Sequence, residues 1–104
     1  MKEELGSWFD EMGNGTDPYV FRLYITGATP NSSRAIVNLK EFLKKYLDRR
    51  YELQIIDVYQ QPQIVKKLNI LALPLLIQKS PLPERRWIGD LSDEQKLLKS
   101  MNLV

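Results

Sequence analysis

Between Val20 and Leu47 the chain passes from an apolar run, through a short turn, into a long amphipathic segment, and that succession leaves few folds open. Val20, Phe21, Leu23, Tyr24 and Ile25 are aliphatic, aromatic or β-branched, with Arg22 the single interruption, which predicts a central strand covered on both faces. Gly27 permits a sharp turn. Thr29 offers an N-cap oxygen, and Pro30 falls at the first helical position, where a missing N–H costs nothing. Ala35, Ile36, Leu39, Phe42, Leu43, Tyr46 and Leu47 then recur at helical spacing, while Arg34, Lys40, Glu41, Lys44, Lys45 and Asp48 mostly face away. Strand, turn and helix in this order make the first half of a βαβ unit.

The rest of the chain completes an α/β pattern. Tyr51 to Val58 alternates and then turns continuously apolar, predicting a second strand, exposed at one end, that pairs in parallel with the first through a right-handed crossover. Pro62 opens a short helix, Gln63 to Leu68, expected to bury Ile64, Val65 and Leu68. Ile70 to Ile77 is apolar throughout and must be buried. Pro74 within it would break a strand ladder, so it marks the start of a strand or an edge, with its peptide bond open between cis and trans. Lys79 to Pro83 reads as a turn, Glu84 to Ile88 as a short antiparallel return, and Ser92-Asp93-Glu94-Gln95 as a capping box with Ser92 at the N-cap. The helix that follows presents Leu97, Leu98, Met101 and Val104. The expected fold is therefore α/β and thioredoxin-like, β-α-β-α-β-β-α with a mixed sheet.

In thioredoxin-like enzymes the turn between the first strand and helix carries reactive cysteines; here it reads Ala28-Thr29-Pro30-Asn31-Ser32. The chain contains neither cysteine nor histidine. Disulfides, thiolate nucleophiles, Cys/His zinc sites and histidine acid–base catalysis are thereby excluded together. Carboxylate or lysine catalysis survives that test, but a dithiol cycle does not.

At 104 residues the chain is expected to form one domain. No apolar run approaches the roughly 20 residues of a membrane helix, and the first residues lack a signal-peptide pattern, so a cytoplasmic location is the default expectation. The net charge of +2 hides an asymmetry: residues 1–17 set Lys2 against Glu3, Glu4, Asp10, Glu11 and Asp17, a net of −4, which leaves +6 for the remainder. We read 1–18 as an acidic N-terminal extension and 19–104 as the folded domain. Within the extension Leu5, Trp8, Phe9 and Met12 are spaced for one or two helical turns, either partly ordered or docked through Trp8 and Phe9 on the domain or on a neighbouring subunit.

Four segments together resemble a known family. They are Leu23-Tyr24-Ile25-Thr26-Gly27-Ala28-Thr29-Pro30-Asn31-Ser32-Ser33-Arg34-Ala35, Tyr51 to Val58, Ile70-Leu71-Ala72-Leu73-Pro74, and Arg85-Arg86-Trp87-Ile88-Gly89-Asp90-Leu91-Ser92-Asp93. Over about residues 19–103 the chain is similar to the KaiB circadian clock protein family. It departs from that pattern at Asn69, Leu73, Ser100 and Asn102.

The resemblance implies a non-enzymatic adaptor, without cofactor or metal, that binds KaiC, a hexameric P-loop ATPase and autokinase. In cyanobacteria such an adaptor promotes KaiC dephosphorylation by sequestering a third clock protein; homologues outside a full clock are linked to stress adaptation. The family also implies self-association as a dimer or tetramer, and a ground state with a rearranged C-terminal half, β-α-β-β-α-α-β, beside the thioredoxin-like binding state. Within the matched motifs Arg34, Arg85 and Arg86 are the candidate partner contacts, joined by Lys66 and Lys67, while Gly27, Pro30, Pro74, Gly89 and Asp90 are candidate structural positions. The competing reading is a basic thioredoxin-like module that binds nucleic acid or another acidic partner. It is disfavoured because the strand-borne aromatic pair of RNA-binding sheets is missing.

Overall fold

The computed structural model describes residues 18–70 and 72–103. The extension, with the expectations attached to Trp8 and Phe9, lies outside the described residues, as do Leu71 and Val104.

Seven elements follow in the expected order: β1 (Tyr19–Ile25), α1 (Pro30–Tyr46), β2 (Tyr51–Asp57), α2 (Gln63–Lys67), β3 (Leu75–Ser80), β4 (Arg85–Ile88) and α3 (Glu94–Ser100). The sheet order is β2-β1-β3-β4, with β1 parallel to β2 and antiparallel to β3, and β3 antiparallel to β4. The arrangement is the thioredoxin-like one rather than the rearranged alternative.

Because side chains alternate across a strand, β1 supplies both cores at once. Phe21, Leu23 and Ile25 join Leu76, Trp87 and the buried faces of α1 and α3 in the larger cluster, which includes Leu39, Leu43, Leu97 and Met101. Tyr24 points the other way, into a smaller cluster with Ile56, Val58, Ile70, Leu75 and Ile77. Helix α2 covers that second face with Ile64, Val65 and Leu68, which are half-buried rather than buried as expected. A helix of five residues has too little surface to enclose them.

Two boundaries move. Strand β3 begins at Leu75, immediately after Pro74, whose peptide bond is cis, and continues to Ser80, two residues into the expected turn. Gln78 is buried there and donates from Nε2 to the Pro81 carbonyl at 2.9 Å. The cap of α3 is Asp93, not Ser92: Asp93 Oδ1 accepts from Lys96 N–H at 3.0 Å. The capping box needs a free Ser92 N–H for Gln95 to reach back to. That N–H is already donated to Asp90 Oδ1 at 3.1 Å, in a turn where Leu91 adopts φ +62°.

Among the described residues each of the three helices ends on a residue that tolerates left-handed backbone: Asp48, Asn69 and Asn102 follow the C-caps Leu47, Leu68 and Met101 with φ between 53° and 64°. In α2 and α3 the paired bonds of a Schellman stop are complete, with Ile70 N–H on the Val65 carbonyl and Leu103 N–H on that of Leu98.

Glu94 ties α3 to α1. Its carboxylate accepts from Lys45 Nζ at 3.2 Å and from the Tyr46 hydroxyl. The hydroxyl, then the ammonium, hold the Glu94 carboxyl below its ordinary range against an opposing desolvation. A carboxyl whose native pKa is depressed adds stability above its unfolded pKa and loses it as pH falls through the native value. In thermal unfolding at neutral pH, wild type is therefore expected to melt above Glu94→Gln. The gap should close as the pH drops below about 4, and a gap independent of pH would refute the tie.

Candidate functional site

The β1–α1 turn is held by side chains that the local sequence supplies. Thr29 caps α1, its Oγ1 accepting from Ser32 N–H at 3.2 Å, and the same hydroxyl donates to Ser32 Oγ at 2.8 Å. Ser32 Oγ also accepts from Thr26 N–H at 3.2 Å, and the Ser32 side chain is fully buried. Across the turn, Asp57 Oδ1 at the end of β2 accepts from Gly27 N–H at 3.1 Å and from Tyr59 N–H at 2.9 Å. One carboxylate thus caps the loop after β2 and clamps the turn after β1.

Gly27 adopts φ +57°, and a Cβ there would meet the Tyr59 ring at 3.4 Å. Beside the turn, Thr26, Thr29, Pro30, Asn31, Leu73 and Pro74 line an open cleft of about 410 Å³. Chemically this place is quiet. The Ser32 hydroxyl is surrounded by a threonine hydroxyl and a backbone N–H, and among the described residues no base stands within hydrogen-bond reach to take its proton. Among the described residues no three His, Cys, Asp or Glu side chains come together as a metal site.

Gly89 turns the chain with φ +114° and leads into Asp90. The Asp90 carbonyl accepts from Asn38 Nδ2 at 2.8 Å, and its Oδ2 lies 3.5 Å from Arg34 Nε. The Ser92 hydroxyl and N–H, with the Arg34 charge, hold the Asp90 carboxyl below its ordinary range. These contacts fasten the β4–α3 connection to the second and third turns of α1.

The five candidate contact residues do not form one patch. Arg34 is occupied at the start of α1 by Asn31 Oδ1 and Asp90. Arg85 is half-buried and donates to the Ser100 carbonyl at the end of α3, where it acts as a helix-end cation. Arg86, Lys66 and Lys67 are exposed and share the α2 side of the sheet, since Trp87 next to Arg86 points into the opposite core.

Sequence reasoning passed over two cations of that same side. Arg22, Ile77 and Arg86 stand in one row across β1, β3 and β4, and Lys79 follows two residues after Ile77. A single arginine inside an otherwise apolar strand was the available signal. Lys79 pairs with Glu84 at 2.6 Å. Beside Arg86, an open cleft of about 360 Å³ runs between Ile88, Leu75, Asn69, Ala72 and Lys96.

The KaiB domain family matches residues 22–103. Among curated proteins, the circadian clock oscillator protein KaiB of Prochlorococcus marinus subsp. pastoris is 46% identical over 86 residues, covering 83% of this chain and 80% of that protein. Among solved structures, the N-terminal domain of Synechococcus elongatus SasA superposes with a TM-score of 0.68 at 24% identity, over 85% of this chain and 87% of that one. Mitochondrial thioredoxin 3 from Saccharomyces cerevisiae superposes with a TM-score of 0.63 at 16% identity, over 85% and 80%.

Proposed function

The chain belongs to the KaiB family, and from that premise we propose that it is a non-enzymatic adaptor that binds a KaiC-like hexameric ATPase and autokinase and modulates its phosphorylation state. The matched relatives are named as clock oscillator proteins, which supports reading this chain in circadian timing rather than in stress adaptation. We take it to work in the cytoplasm; among the described residues no helix is long and apolar enough to cross a membrane.

The observation that carries this reading is the spent chemistry of the β1–α1 turn. In a thioredoxin-like frame this is the place for a reactive group, yet Ser32 is buried, Thr29 caps the helix, and Asp57 closes the backbone. What the fold offers a partner is surface. The α2 side supplies it in the form of Arg86, Lys66 and Lys67, exposed and, among the described residues, without the intramolecular ties that occupy Arg34 and Arg85. Arginine suits such contacts because its planar fork engages a carboxylate with two hydrogen bonds.

Size-exclusion chromatography with light scattering, run with the KaiC-like ATPase of the same source across nucleotide and phosphorylation states, tests the adaptor reading. A complex confined to particular states is expected. Its absence in every state, after hours of incubation, would end the reading. Arg86→Glu should weaken the complex about tenfold or more, or ~1.4 kcal/mol, and Arg34→Glu less, because Asp90 already neutralises that charge.

A further inference from the structure

We propose that the acidic segment 1–17 of this chain docks on the chain's own basic sheet face, with Trp8 or Phe9 seated in the cleft beside Ile88 and Arg86.

The receiving face is unusual for what α2 leaves uncovered. Helix α2 shields Tyr24, Ile56 and Leu75 but reaches no further along the sheet. Ile88 is consequently 63% exposed at the edge of the sheet, on the side opposite Trp87. Arg22, Lys66, Lys67, Lys79, Arg86 and Lys96 surround or border this area, against Glu52 and Glu84 on the sheet face and Asp90 and Asp93 on the far side of Ile88 and Lys96. Glu84 is spent on Lys79. The cleft between Ile88, Leu75 and Ala72, at about 360 Å³, falls within the roughly 300–1,000 Å³ of small-ligand sites. An aromatic side chain flanked by carboxylates is the ligand its apolar floor and cationic rim select.

Segment 1–17 has that composition. Trp8 and Phe9 are adjacent, followed at once by Asp10 and Glu11 and preceded by Glu3 and Glu4, for a net charge of −4 over the segment. The geometry also permits the contact. Ile88 pairs with Leu75, and Leu75 with Tyr24, so the cleft lies five residues along β1 from Tyr19 and two strands across. At roughly 3.3 Å per residue and about 4.8 Å per strand, that is a distance of about 20 Å. The ten residues from Phe9 to Tyr19 span up to about 33–36 Å when extended. A tether this short keeps the aromatic pair at a millimolar effective concentration near the cleft, so modest attraction suffices. The docking is independent of any partner, although it would cover Arg86 and hence compete with one that uses that arginine.

Because the chain has no cysteine, Ser7→Cys accepts a single nitroxide label, and paramagnetic broadening of backbone amides in the full-length protein reads the docking directly. At low salt, Ile77, Arg86 and Ile88 are expected to lose most of their amide intensity, equally at all protein concentrations. The effect should fade as salt shortens the Debye length from about 10 Å at 0.1 M to about 3 Å at 1 M. It should also fade when Glu3, Glu4, Asp10 and Glu11 are replaced by their amides, a change that leaves the domain untouched. Broadening confined to Tyr19 and Val20 would overturn the proposal, as would broadening that grows with concentration, which would assign the cleft to a second copy.

Discussion

Replacing Trp87 by alanine is expected to lower the unfolding free energy by about 3–5 kcal/mol, the range for large aromatic truncations in a core. Against a total of roughly 5–15 kcal/mol for a domain of this kind, that is a large share. Strand β4 has four residues, and of these Trp87 alone is buried, at 7% exposure. Its ring packs in the cluster that contains Leu76, its partner across the ladder, together with Leu91, Leu97, Leu98 and Met101. Removing it therefore loosens β4 and α3 together. Urea titration followed by far-ultraviolet circular dichroism measures the loss, and Trp87→Phe, which keeps a ring, should recover more than half of it. A loss below about 1 kcal/mol for the alanine variant would mean that α3 does not depend on β4 for its seat.

The second large effect is expected at Gly27. A side chain in left-handed backbone costs about 1–2 kcal/mol, and β-branching makes that conformation worse. In Gly27→Val the new Cβ also meets the Tyr59 ring at 3.4 Å, within the loop that Asp57 holds. A combined cost of roughly 2–3 kcal/mol follows. Gly89→Ala is the internal comparison, since Gly89 has positive φ but nothing within 4 Å of its Cβ direction. Denaturant midpoints of the two variants should rank Gly27→Val as the less stable. If they fall together, the contact with Tyr59 adds nothing to the strain of the turn.

The framework was legible because its signals are local. The apolar run of β1, the Thr29 cap and Pro30 at the first helical position all act within a few residues, and each appears in the structure where the pattern places it. The start of β3 at Leu75 followed from what proline cannot donate.

What escaped the sequence depends on partners far along the chain. The capping-box pattern points to Ser92, and the cap falls instead to Asp93 because Asp90 takes the Ser92 N–H. The strand β3 outlasts its hydrophobic run because the backbone ladder with β1 continues through Gln78 to Ser80. Asp57 caps its own loop through the Tyr59 N–H two residues on, and its second role, on Gly27, appears only when β2 lies beside β1. Of the candidate contacts, the motif match could name Arg34, Arg85 and Arg86 but not sort them, since sorting needs the carbonyl of Ser100 and the carboxylate of Asp90.

The strand that enters the sheet first in the chain stands in its middle, between β2 and β3. During synthesis the chain emerges N-terminus first, at about 5–20 residues per second, so β1 leaves the ribosome before Leu75 arrives to occupy its second edge. In that interval, among the described elements, α1 and β2 and later α2 can shelter Phe21, Leu23, Tyr24 and Ile25, while one edge of β1 stays unpaired. The buried lining of α1, from Ala35 through Leu39 to Leu43, is then the first cover available to the nascent strand, and the polar Arg22 is the one residue of its inner run that bears waiting in water.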